Sequence, residues 1–114
     1  GDFSTEMAVE CAQQLLSIAH PPTAIFASND QSAKGVYEVA TSLGLGIPND
    51  ISVVGFDNIP DSTYLNLTTV DQFIDRMGYV GTNMLYELIQ GNTLDPQPFE
   101  IETKLIIRAS TCAI

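Results

Sequence analysis

Between Thr23 and Asn58 the chain reads TAIFASNDQSAKGVYEVATSLGLGIPNDISVVGFDN. An apolar run ends in Asn29-Asp30, an amphipathic stretch closes at Gly44, and a second apolar run ends in Asp57-Asn58. This is the pattern of strand, helix and strand, with each strand handing over to polar residues. The second run, Ile51 to Phe56, is short, β-branched and apolar on both faces, which suits a strand buried between helix layers. In open parallel sheets, ligands bind outside the carboxyl ends of the strands. The polar residues at those ends are therefore where function is expected.

The flanking sequence continues the alternation. Gly1-Asp2-Phe3 reads as the tail of a strand and Ser4 as a helix N-cap, with Glu6 placed to meet the positive end of the helix dipole. Met7, Ala8, Cys11, Ala12, Leu15, Leu16 and Ala19 recur at helical spacing until Pro21-Pro22 stop the helix and lead into a strand over Ala24 to Ser28. The next helix starts near Asp30 or Gln31, turns Ala33, Val36, Tyr37, Ala40 and Leu43 inward, and ends at Gly44. Asn58 to Leu67 reads as a loop, Thr68 to Asp71 as a short strand, and Asp75 to Gln90 as a helix with Met77, Val80, Met84, Leu85, Leu88 and Ile89 on its apolar face. A turn-rich connection over Asn92 to Pro98 and an extended segment over Phe99 to Arg108 complete the chain. The expected class is α/β, a three-layer α/β/α arrangement on a mostly parallel sheet. Because such sheets have about five or six strands and the chain opens in mid-element, it reads as an incomplete fragment.

Composition removes several classes of function. Fourteen acidic residues against four basic ones give a formal charge of −10, and Lys34, Arg76, Lys104 and Arg108 are scattered. Without a basic patch the segment itself is not expected to bind nucleic acid or an anionic membrane. No apolar run approaches the roughly 18 residues of a membrane span. Cys11 and Cys112 lack metal-ligand spacing and read as small structural hydrophobes. His20 stands alone beside Pro21-Pro22, the acidic residues form no general acid and base pair, and Gly44-Leu45-Gly46 reads as a helix stop rather than a phosphate cradle. No enzyme, metal or cofactor is expected.

Five blocks carry a resemblance: GDFS, PPTAIFASNDQSAKG, GLGIPNDISVVGFDN, LTTVDQ followed by a helix around Met77-Gly78, and the closing LIIRAST. In this order and spacing they resemble the effector-binding core of LacI-type transcriptional regulators, whose fold is periplasmic-binding-protein-like, type I. The resemblance implies two similar α/β subdomains closing on a small molecule, usually a sugar or a nucleobase, and a helix-turn-helix headpiece that is absent here. Residues 1–70 and 99–112 match the C-terminal subdomain, and residues 71–98 match a crossover and helix that pack in the N-terminal one. DNA would be met only through the missing headpiece, the location is expected to be cytoplasmic, and dimer contacts would involve positions around Lys34, Glu38 and Asp61. An unpartnered stripe of Met77, Val80, Met84 and Leu88 makes a homodimer or higher oligomer the expectation for this chain. The alternative is a periplasmic sugar-binding protein of a transporter, which shares the architecture.

Position by position, four residues match the ligand-contacting pattern of the family. Phe3 stands where an aromatic ring stacks on the effector. Asn29 offers a donor and an acceptor, Asp57 accepts from adjacent hydroxyls, and Gln72 reaches in from the crossover. Each also has a plainer reading. Phe3 would serve as core against Ile25 or Val53, Asn29 or Asp30 as the cap of the following helix, Asp57 as the start of an Asx-turn, and Gln72 as a solvated hinge residue. Asp30 is assigned to capping and left outside the site.

Overall fold

The computed structural model describes residues 2–94 and 99–113. Its elements are α1 (Thr5–Leu16), β1 (Ala24–Phe26), α2 (Asp30–Ser42), β2 (Ser52–Phe56), α3 (Pro60–Tyr64), β3 (Thr68–Asp71), α4 (Ile74–Ile89) and β4 (Lys104–Ile106). The four strands form one sheet in the order β1-β2-β3-β4. β1 lies parallel to β2 with Ile25 opposite Val53, β2 parallel to β3 with Gly55 opposite Thr69, and β3 antiparallel to β4 with Val70 opposite Leu105. The mostly parallel α/β sheet is therefore present, with an antiparallel strand at one edge.

Three of the helix starts have a local cause. The Ser4 hydroxyl accepts from the Met7 N–H at 3.2 Å and so caps α1. Asn29, not Asp30, caps α2, its side chain accepting from the Ser32 N–H at 2.8 Å. α3, which the sequence reading took as loop, begins with Pro60 in its first turn, where the absent N–H is not missed. Helices α1 and α2 pack closely because Gly35 has no side chain: a Cβ there would lie 2.7 Å from the Thr5 carbonyl oxygen and 2.8 Å from the Ala8 Cβ.

The core gathers Ala12, Ala27, Ala33, Val36, Val39, Val53 and Leu67, with Val9, Leu16, Ile25, Tyr37, Ile47 and Leu65 against it. Three expectations of burial are corrected. In α2 the inward position is Val39, while Leu43 is exposed beyond the last helical turn. Cys11 and Cys112 are both exposed. Cys11 instead joins Met7, Leu15, Ile25 and Phe26 in an open apolar trench of about 150 Å³ between α1 and β1. Asp2 and Phe3 are not strand, and the final extended segment is regular only over Lys104–Ile106. Gly1 and residues 95–98 of the expected turn-rich connection lie outside the described residues.

α4 stands apart from this core. None of its residues is buried, and Met77, Leu85, Leu88 and Ile89 of the expected apolar face are all exposed. Beyond its first turn Phe99 and Ile101 flank it, forming with Met77, Val80 and Met84 an open groove, and Arg76 sits 5.8 Å from the centre of the Phe99 ring. The radius of gyration of 18.0 Å and extents of 60 × 27 × 23 Å follow from that projection. A compact domain of this length has a radius of gyration of about 13 Å.

Candidate ligand-binding site

Because β1 and β2 are parallel neighbours, the segments that follow them emerge at the same edge of the sheet. Asn29 follows β1 and Asp57 follows β2. β3 is parallel to β2, so Gln72 leaves the sheet at that edge too. Four of the five non-glycine residues with positive φ among the described residues cluster here: Phe3 (67°), Asp57 (112°), Asn58 (56°) and Phe73 (54°). Such conformations are uncommon for residues with a side chain and concentrate at functional sites.

The four expected residues meet as two pairs. Asn29 Nδ2 donates to the Phe3 carbonyl oxygen at 3.3 Å, and a second tie, from Gln31 Nε2 to Thr5 Oγ1 at 2.8 Å, holds the N-terminal segment against the start of α2. Phe3 is 63% exposed, so its ring is not core. Asn29 both caps α2 and anchors Phe3, which leaves one N–H and one lone pair of its amide for other partners. Gln72 Nε2 donates to Asp57 Oδ1 at 2.5 Å, joining the exits of β2 and β3. Asp57 Oδ2 takes no hydrogen bond among the described residues. It lies in a groove of about 550 Å³ with Asn58, Asp71, Phe73, Arg76 and Arg108.

Burial pushes the Asp57 carboxyl above the usual carboxylate range, the Gln72 hydrogen bond pulls it back, and the negative charge of Asp30 adds to the rise. An ionised Asp57 offers acceptors only, and the Gln72 amide adds a carbonyl beside it. This edge is therefore suited to a ligand that donates, such as one with adjacent hydroxyls, with the exposed Phe3 ring available to pack on an apolar face.

Sequence reasoning missed the residues that hold this edge together. Asp30 is 1% exposed, and its carboxylate accepts from the Ile59 N–H at 3.0 Å, from Ser62 Oγ at 2.5 Å and from Thr69 Oγ1 at 2.6 Å. Arg108 donates from Nη1 to the Leu67 carbonyl at 2.7 Å and from Nη2 to Asn58 Oδ1 at 2.8 Å, while Asn58 Nδ2 donates to Asp71 Oδ2 at 3.0 Å. One signal was available. Gly55 interrupts an otherwise branched apolar strand, and a glycine inside a strand marks close approach by another group; here that group is Asp30.

Residues 2–111 match the periplasmic binding protein-like domain. The chain belongs to this family. Among relatives of known kind, it is 38% identical over 112 residues to the HTH-type transcriptional repressor PurR of Escherichia coli, covering 96% of this chain and 33% of the repressor. Among solved structures, a LacI-type transcription regulator from Bifidobacterium animalis subsp. lactis superposes with a TM-score of 0.90 at 32% identity, covering 99% of this chain and 41% of that one. A LacI family transcriptional regulator from Enterococcus faecium, with bound ribose, superposes with a TM-score of 0.89 at 31% identity, covering 98% and 42%. This periplasmic binding protein-like domain thus resembles LacI-type regulators in sequence and in fold, while spanning about a third of the length of the curated relatives it matches.

Proposed function

We propose that this chain is the C-terminal part of the effector-sensing core of a LacI-type DNA-binding regulator, and that Phe3, Asn29, Asp57 and Gln72 contact the effector. The observation that carries the reading is the Asp57–Gln72 pair at the carboxyl edge of a parallel sheet, with one carboxylate oxygen left for a partner. The ribose bound to the Enterococcus faecium regulator supports a sugar as effector. That the relatives are transcriptional regulators favours this over a transport receptor and over an enzyme. The protein would then work where the DNA is, in the cytoplasm, and no helix among the described residues is long and apolar enough to cross a membrane.

Residues 71–98 act as crossover and as a helix of the other subdomain in this reading, which the absence of any fully buried residue along α4 supports. Self-association as a dimer would use the outer face of α2 and α3. There Lys34 pairs with Asp61, beside a groove of about 660 Å³ that also includes Glu38 and Tyr64. Effector binding would shift a population between two arrangements of the subdomains, which requires different affinity for the two.

The test is Asp57→Ala in the full-length protein. Charge-assisted hydrogen bonds contribute roughly 1.5–3 kcal/mol each, so effector affinity should fall about tenfold to a hundredfold or more while operator binding stays unchanged. Unaltered effector affinity, read by calorimetric titration, would sink the assignment.

A further inference from the structure

We propose that Asp30 is a positioning residue for the ligand site: its buried carboxylate, lodged against Gly55, fixes the Asp57 corner and the strand leading to Gln72 in one relation. The proposal rests on the preceding reading in one respect, that Asp57 and Gln72 face the ligand.

An acid in the first turn of a helix needs no burial to meet the dipole, and enclosing its charge costs several kcal/mol unless donors surround it. Asp30 is enclosed all the same, and its three donors come from two segments, the start of α3 and β3. Ile59 lies two residues beyond Asp57, Ser62 lies in α3, and Thr69 lies in β3 three residues before Gln72. The site at Gly55 is shaped for the carboxylate, because a Cβ there would fall 2.1 Å from Asp30 Oδ1. Asn58 at φ 56° is a conformation asparagine accepts, but Asp57 at 112° lies beyond the left-handed region, so local preference alone does not select the corner. It is held from outside, by the Ile59 N–H on Asp30 and by the Asp57 N–H on the Val70 carbonyl at 2.9 Å. The Asp57–Gln72 hydrogen bond then requires the exits of β2 and β3 to keep a fixed separation. Asp30 bonds to both from beneath, alongside the direct Asn58–Asp71 hydrogen bond at the surface.

Two substitutions separate this role from general support of the fold, because they act on Asp57 in opposite directions. Asp30→Asn keeps the shape: the amide oxygen can accept from Ile59 and Ser62 while the amide nitrogen donates to the Thr69 hydroxyl. It removes the charge that helps raise Asp57, so the Asp57 midpoint should fall. Thr69→Val keeps the shape but removes the one side-chain bond between β3 and Asp30. The Gln72 bond that holds Asp57 down should loosen, and the midpoint should rise. The other charged groups around the Asp57 groove, Asp71 from β3, Asp75 and Arg76 from α4 and Arg108 from the C-terminal segment, are unchanged in both variants.

The measurement is carbon-13 NMR titration of the Asp57 carboxyl, with the side-chain amide signals of Gln72, in the full-length protein without ligand. Expected are a lowered midpoint with Gln72 signals in place for Asp30→Asn, and a raised midpoint with displaced Gln72 signals for Thr69→Val. Where Thr69→Val does not fold, Thr69→Ala removes the same donor with less bulk and should repeat its sign. Midpoints that stay at the wild-type value, or that move in the same direction in both variants, overturn the proposal. No ligand takes part, so failure here leaves the effector test of Asp57→Ala untouched, and failure of that test leaves this one readable.

Discussion

Gly55→Ala should destabilise the domain severely, and the size of the effect follows from the geometry. The added methyl carbon would stand 2.1 Å from Asp30 Oδ1, 2.9 Å from Leu67 Cδ2 and 3.2 Å from Asp30 Cγ. Backbone holds the new Cβ, so the carboxylate must retreat by about 1 Å, which carries contacts of 2.5, 2.6 and 3.0 Å to or beyond the ~3.5 Å reach of a hydrogen bond. A buried charge stripped of its partners costs roughly 3–5 kcal/mol, a large share of the 5–15 kcal/mol or so that holds a typical domain folded. Urea unfolding of the full-length protein gives the loss, and hydrogen exchange at the Ile59 amide reports the broken contact directly. Adding Asp30→Ala removes the carboxylate and leaves only the 2.9 Å contact with Leu67 Cδ2, so Gly55→Ala should cost much less in the Asp30→Ala background than in the wild type. A loss below about 1 kcal/mol with Ile59 protection intact would refute the reasoning, since surface changes already fall within about 0.5 kcal/mol.

Three further outcomes are expected. Since hydrogen bonds from a ligand need the ionised Asp57 and burial raises its carboxyl, effector affinity should begin to fall on acidification at a higher pH than an ordinary carboxylate would give. The sign for stability is opposite: the folded form holds this proton more tightly, so the contribution of Asp57 favours folding at low pH and is lost as pH rises through its folded value. Asp57→Asn should abolish both trends in calorimetric titrations repeated across pH. Ser110→Ala should cost about 1–3 kcal/mol, read by thermal unfolding, because the buried hydroxyl donates to the Val53 carbonyl at 2.5 Å and its loss strands the Thr68 N–H that it accepts from at 2.7 Å. The 114-residue chain by itself should scatter light as a dimer or larger, and Met77→Lys with Leu88→Lys should remove the part of that association made by the α4 stripe, leaving at most the dimer of the α2 and α3 face; scattering unchanged by the pair would refute the exposed stripe as a cause.

Elements whose signal is periodic were legible. The helix over Thr5–Leu16, the strand over Ser52–Phe56, and above all Thr68–Asp71 fall close to where apolar spacing and turn residues place them. α3 was not, because five residues hold little more than one turn and show no period to read. Phe3 was read as strand because Gly-Asp-Phe carries no sign of a left-handed φ, which the tie from Asn29 holds in place. The choice of cap went to the wrong member of Asn29-Asp30 for a related reason. Either side chain can cap, and what decides between them is the space over Gly55, far along the chain and on no local pattern. The same holds for Arg108 and Asn58, which meet only because the C-terminal segment returns beside β3.

The backbone at this edge also limits how ligand preference can be redesigned. Positions 57, 58 and 73 sit at φ values of 112°, 56° and 54°, where branched side chains are strained and asparagine, aspartate, histidine or glycine are tolerated best. A directed-evolution library that randomises all three would therefore spend most of its members on chains that fold poorly. Gln72 is not among the positive-φ residues, and Asn29 is extended at φ −156°, so the backbone there accepts other side chains, and what limits the choice is the cap on α2 at Asn29 and the bond to Asp57 at Gln72.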